Sequence, residues 1–105
     1  MLELIKVNDV VKKAASATLK RQAGVRRVFS ERAADSEGLE ALRIMIVLKR
    51  GSADKITGDT ALQTLVGIER ALREAGEDRF PILDYATEEE LESEEELESS
   101  GDTES

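Results

Sequence analysis

The chain has 105 residues, with 15 Lys and Arg against 23 Asp and Glu, no Cys, His or Trp, two Phe, one Tyr and a single Pro. That length supports one small domain, and with 40% apolar but 3% aromatic residues its core must be aliphatic. The absence of Cys and His excludes a disulfide framework, a thiolate nucleophile, an imidazole base and zinc sites of the usual kind, so most familiar enzyme classes lose their key residue.

The longest apolar run, Ile44 to Leu48, is far below the ~20 residues of a membrane-spanning helix. The opening MLELIKVNDVV also lacks a basic segment followed by an apolar one. The expectation is a cytoplasmic protein without a membrane role. Charge is segregated along the chain. Glu88 to Ser105 holds ten acids and no base, whereas Met1 to Thr87 holds all 15 bases against 13 acids. The net charge of −8 therefore resides in the tail, and the division expected is a domain over 1–87 followed by an acidic tail over 88–105. With only Leu91 and Leu97 as apolar residues, the tail cannot bury enough surface to offset chain entropy, and disorder is expected from Glu92 onward.

Leu2 to Val7 permits a short opening strand. Asn8 then suits an N-cap and Asp9 a first turn, and Val7, Val10, Val11, Ala14, Ala17 and Thr18 recur at helical spacing, which predicts a helix over about 9–22 ended by Gly24. Val25 to Ala33 alternates as a strand. The polar segment from Ala34 to Gly38 reads as a turn, and the strand after it directs Leu42, Ile44, Ile46 and Leu48 to one face and Ala41, Met45 and Val47 to the other. An antiparallel hairpin is expected, with its second strand central in the sheet. Ala61, Leu65, Ile68, Leu72 and Ala75 then fall four, three, four and three apart, widened by Leu62 and Val66, which predicts a helix capped by Asp59 and closed by Gly76. Gly67 inside it weakens it unless a neighbour packs closely there. Arg79 to Tyr85 forms the last strand, its early Pro81 suiting an edge or a strand entrance. Thr87 can cap a short helix carrying Glu88, Glu89 and Glu90 at its positive end.

These elements define an α+β fold, a small two-layer sandwich in the order helix, strand, strand, helix, strand, with both helices on one face of a three-stranded sheet and a disordered acidic tail. A bare second face exposing Ala41, Met45 and Val47 would mark an interaction surface. The element order is similar to that of KH-like folds, found in small ribosome-associated RNA-binding proteins, and that resemblance implies RNA binding. No Gly-X-X-Gly loop joins two helices in this chain, so no residue here inherits the family's clamp on RNA.

Three chemistries merit weighing. Asp54, Asp59 and Asp84 could gather at one end of the sheet around magnesium, but a cap, a loop and a strand position account for them without a metal, and no acid pair has the spacing of a metal motif. Lys49, Arg50, Gly51 and Ser52 form a turn able to present amides to an anion, although the P-loop pattern is absent and a plain strand-to-helix loop accounts for it. The basic residues Lys12, Lys13, Lys20, Arg21, Arg26 and Arg27 could neutralise phosphates, against the paucity of stacking aromatics and the competing tail.

The leading expectation is a non-enzymatic module without metal or cofactor that docks through its sheet face or edge onto a protein partner, or onto a second copy of itself. Met45, Val47, Phe80 and Leu83 would dock, and Glu88, Glu89 and Glu90 with the acids beyond would cover a basic site. Antitoxins and small inhibitors of nucleic-acid-directed enzymes have this general build. The alternative is an RNA-binding or ribosome-associated protein using the basic stretch 12–32.

Overall fold

The computed structural model describes residues 1–19, 24–52 and 55–92. Its elements follow the expected order: α1 (Leu4–Leu19), β1 (Val25–Ala34), β2 (Glu40–Leu48), α2 (Gly58–Glu74) and β3 (Phe80–Thr87). A one-turn helix, α3, spans 88–92. The expected tail disorder concerns residues that, apart from Glu92 at the end of α3, lie outside the described ones.

The sheet order is β1-β2-β3, with β1 antiparallel and β3 parallel to the central β2. The hairpin turns on Asp35, whose Oδ1 accepts from the Glu37 and Leu39 amides while Gly38 adopts φ +83°. Leu42, Ile44, Ile46 and Leu48 face the helices and join Val7, Val11, Ala15 and Leu19 of α1 and Ile68 and Leu72 of α2 in one aliphatic core. The two helices therefore share one face of the sheet.

Three expectations are corrected. The first concerns the N-terminus: no strand opens the chain, because α1 begins at Leu4 and buries Val7, Val11, Ala15 and Leu19, a line at i+4 spacing in place of the expected Val10, Ala14, Ala17 and Thr18. Leu2 has no strand neighbour to bond. Its N–H donates to Glu77 Oε1 at 2.8 Å and its carbonyl accepts from Arg79 Nη2 at 2.8 Å. Asn8 lies inside the helix and ties it to β1, its Oδ1 accepting from Ser30 Oγ at 2.6 Å.

Helix α2 is the second. Its cap is Thr57, whose side chain accepts from the Thr60 amide, and Asp59 sits in the first turn, where its charge opposes the dipole. The buried line is Thr60, Thr64, Ile68 and Leu72, so Leu62 and Val66 remain exposed. Thr64 can be buried because its hydroxyl donates to the Thr60 carbonyl at 2.7 Å. The helix closes as expected at Gly76, φ +97°, with Gly76 N–H on Arg73 O and Glu77 N–H on Leu72 O, the two bonds of a Schellman motif.

The third is the exposure of Ala41 and Val47, each only 1% exposed. Both are short side chains on the central strand. The ladder flanks Ala41 with Ala33 and Phe80, and Val47 with Arg27 and Ala86.

Gly67 faces α1, and a methyl group added there would meet Thr18 Oγ1 at 3.5 Å, ordinary contact rather than a clash. Gly67→Ala is therefore expected to stabilise the fold by about 0.5–1 kcal/mol, by raising helix propensity and restricting the unfolded chain. Urea unfolding of the two proteins checks it; a lower midpoint would mean that α1 and α2 approach more closely than this.

Candidate functional site

Among the described residues, neither α1 nor α2 covers the second face of the sheet. Across the strands it presents Arg27, Val47 and Ala86, then Phe29, Met45 and Asp84, then Glu31, Arg43 and Ile82, and finally Ala33, Ala41 and Phe80. Phe29 and Phe80 are about half exposed and Met45 is partly buried. Its charges balance: Arg43 and Glu31 pair at 3.8 Å, the Arg27 guanidinium lies 5.9 Å from the centre of the Phe29 ring, and Asp84 stands beside Met45. Of the four apolar residues expected to dock, Phe80 and Met45 are accessible on this face and Val47 is not. Leu83 lies on the helix side of β3, partly buried against the core.

Beside this face runs a free edge. Among the described residues β3 is bonded to β2 along one side only, so its other side offers unpaired backbone donors and acceptors. Edge strands are usually guarded by charge. The opposite edge, β1, follows that rule with Arg26, Arg27, Glu31 and Arg32, whereas β3 holds Asp84 alone, with Pro81 near its start. A groove of about 450 Å³ follows β3 beneath α2, lined by Leu62, Leu65, Phe80, Ile82, Leu83 and Tyr85 among others. Burial raises the pKa of Tyr85, against a smaller opposing effect of the Thr64 side chain, and among the described residues its buried hydroxyl has no hydrogen-bond partner of good geometry. Leu62, 61% exposed, forms the outer lip. Sequence reasoning missed this groove because Leu62 and Leu65 both read as core. The signal available was the spacing of Thr60 and Thr64 on the same i+4 line as Ile68 and Leu72.

The acidic segment begins where β3 ends. Thr87 caps α3, its Oγ1 accepting from the Glu90 amide at 3.4 Å and donating to Glu90 Oε1 at 3.2 Å. Glu88 meets Arg26 Nε at 3.2 Å, Glu89 Oε1 accepts from the Gly51 amide at 3.1 Å, and Glu92 pairs with Arg50. The Glu92 contact raises the Arg50 pKa, with Glu88 and Glu89 adding to it. Three of the acids expected to meet a partner are thus engaged on the chain's own Arg-Gly turn and β1, and sequence spacing held no signal that they would fold back.

The remaining candidates are dispersed. Lys12 and Lys13 are exposed on the outer side of α1, Lys20 and Arg21 lie outside the described residues, Arg26 is tied to Glu88, and Arg27 sits on the open sheet face. Asp54 also lies outside them. Asp59 starts α2 in the helical layer while Asp84 faces away from that layer, and among the described residues no three acids form a group able to hold a metal ion. No described helix is long and apolar enough to cross a membrane.

Compared with protein-family models, curated proteins and solved structures, the chain matches none.

Proposed function

We propose that this protein is a non-enzymatic binding module of the cytoplasm that holds an extended, apolar segment of a protein partner along the free edge of β3. The observation that carries the reading is the pairing of an edge strand with a single charged residue and an apolar groove running beside it. An added strand would satisfy the unpaired backbone groups of β3, and its alternate side chains would enter the groove against Leu62, Leu65 and Leu83 or lie over Phe80 on the open face. Beyond the acids engaged on Arg26, Gly51 and Arg50, Glu94 to Glu104 adds six more and no base, so a partner segment flanked by Lys or Arg is favoured. Such a role would be antitoxin-like or inhibitor-like, a small protein that acts by holding its target.

Selection from a random-peptide display library tests the reading. Enriched sequences should alternate apolar residues and end in basic ones. Leu62→Asp or Phe80→Asp should weaken the selected peptides by about tenfold or more, equivalent to 1.4 kcal/mol. Both positions are exposed, so the fold survives the changes. No enrichment, or binding indifferent to both substitutions, contradicts the proposal. Sedimentation velocity of the protein alone should give a monomer; a dimer dispersed by the same substitutions would make a second copy the occupant instead.

A further inference from the structure

The turn after β2 and the start of β1 bring cationic and amide donors into one strip, and acids of the same chain lie on it. Arg26, Arg50 and the Gly51 N–H are the donors. Gly51 adopts φ +75°, the left-handed conformation that a side chain would strain, and its N–H points at Glu89. Glu88 and Glu92 stand at i and i+4 of a single turn, an arrangement in which like charges repel and destabilise the helix. Arg26 and Arg50 neutralise them. Three separate donors thus each hold one carboxylate of a single helical turn, an arrangement that suits several anions close together.

We propose that Arg26, Arg50 and the Gly51 amide form a binding strip for the phosphodiester backbone of single-stranded nucleic acid, which helix α3 occupies as an internal stand-in. Each donor meets a different carboxylate, so the strip matches several anions rather than one. Several donors in a row fit consecutive phosphates, and each phosphate neutralised releases counterions. Phe29, 46% exposed on β1 and three residues beyond Arg26, adds an aromatic face for a base, with Arg27 beside its ring. The internal contacts suit exchange: the arginines and Glu92 are more than half exposed, and exposed ion pairs contribute little to stability. A ligand bearing more phosphates than α3 has carboxylates displaces it. This strip lies at the end of the sheet where β3 finishes, and it stands or falls independently of the groove beside β3.

Fluorescence anisotropy with a labelled oligouridylate of about 15 nucleotides in about 50 mM salt, using the full chain, tests it. The triple variant Glu88→Gln, Glu89→Gln, Glu92→Gln should bind about tenfold tighter than the unaltered protein. Adding Arg26→Ala and Arg50→Ala should abolish the gain and flatten the salt dependence by roughly 0.7 for each phosphate no longer neutralised. A control with the same change in net charge, Glu3→Gln, Glu37→Gln, Glu74→Gln, alters exposed acids at the opposite end of the molecule and should leave affinity nearly unchanged. Equal gains in both triple variants would reduce the effect to net charge and overturn the proposal, as would a gain that survives removal of the two arginines. Inorganic polyphosphate of matched charge competing as well as the oligonucleotide would overturn the assignment to nucleic acid.

Discussion

Glu77→Ala is expected to destabilise the protein by about 3–5 kcal/mol, among the largest effects any single substitution in this chain will have. Glu77 is 2% exposed, and its carboxylate accepts from four donors: the Leu2 and Arg79 amides and the Arg79 Nε and Nη2, all at 2.8–2.9 Å. Removing it leaves the buried Arg79 guanidinium without its hydrogen-bonded carboxylate, with only the more distant charges of Glu40 and Asp78, and frees the Leu2 amide. The pair also gives a pH dependence. Hydrogen bonds from Arg79 hold the Glu77 carboxyl at about 2, below its ordinary 4.5, against the opposing effect of burial. A depressed folded-state pKa contributes stability that is complete above the unfolded value and is lost as pH falls through the folded one, here between roughly pH 4.5 and pH 2 and amounting to about 3 kcal/mol. Urea unfolding across that range should show the loss in the unaltered protein and a shallower profile in Glu77→Ala. Glu77→Met with Arg79→Met should recover part of the stability, because the uncompensated buried charge is then gone. A single variant as stable as the parent would mean that the pair is solvated.

Ile68→Ala is expected to cost about 2–5 kcal/mol and Leu62→Ala less than about 0.5 kcal/mol, although both are large aliphatic residues of the same helix. Ile68 is fully buried between α1 and the sheet, so its truncation leaves a cavity; Leu62 projects to solvent, and its truncation empties nothing. Thermal unfolding of the two variants decides the helix orientation. Similar losses would mean that α2 turns the expected stripe, Leu62 included, toward the sheet.

That contrast also marks how far the fold can be read from sequence. The central strand is legible because Leu42 to Leu48 is apolar on both sides except at Arg43, a pattern that suits a strand with neighbours on each edge. Gly38 and Gly76 mark their turns through left-handed backbone. Helix faces are harder. A stripe of Ala, Leu and Ile outweighs Thr60 and Thr64 on any hydropathy scale, yet threonines that bond their own helix pack in the core at little cost. Pairings distant in sequence were not legible. Glu77 reads as a surface acid until the Schellman turn places it under Leu2, 75 residues away. Glu88 reads as free until the parallel placement of β3 brings it to Arg26, 62 residues earlier. The docking residues divide the same way: Phe80 is exposed as alternation predicts, whereas Val47 is closed off by its neighbours on both adjoining strands.

The outer edge of β3 is the place where we propose that a partner is held. Amide hydrogen exchange of the protein with and without a selected peptide tests this most directly. Exchange should slow by an order of magnitude or more within Phe80 to Thr87 and stay unchanged in the charge-guarded strand β1. Protection that falls on β1, or on the outer surface of α1 around Lys12 and Lys13, with β3 unaltered, would contradict it.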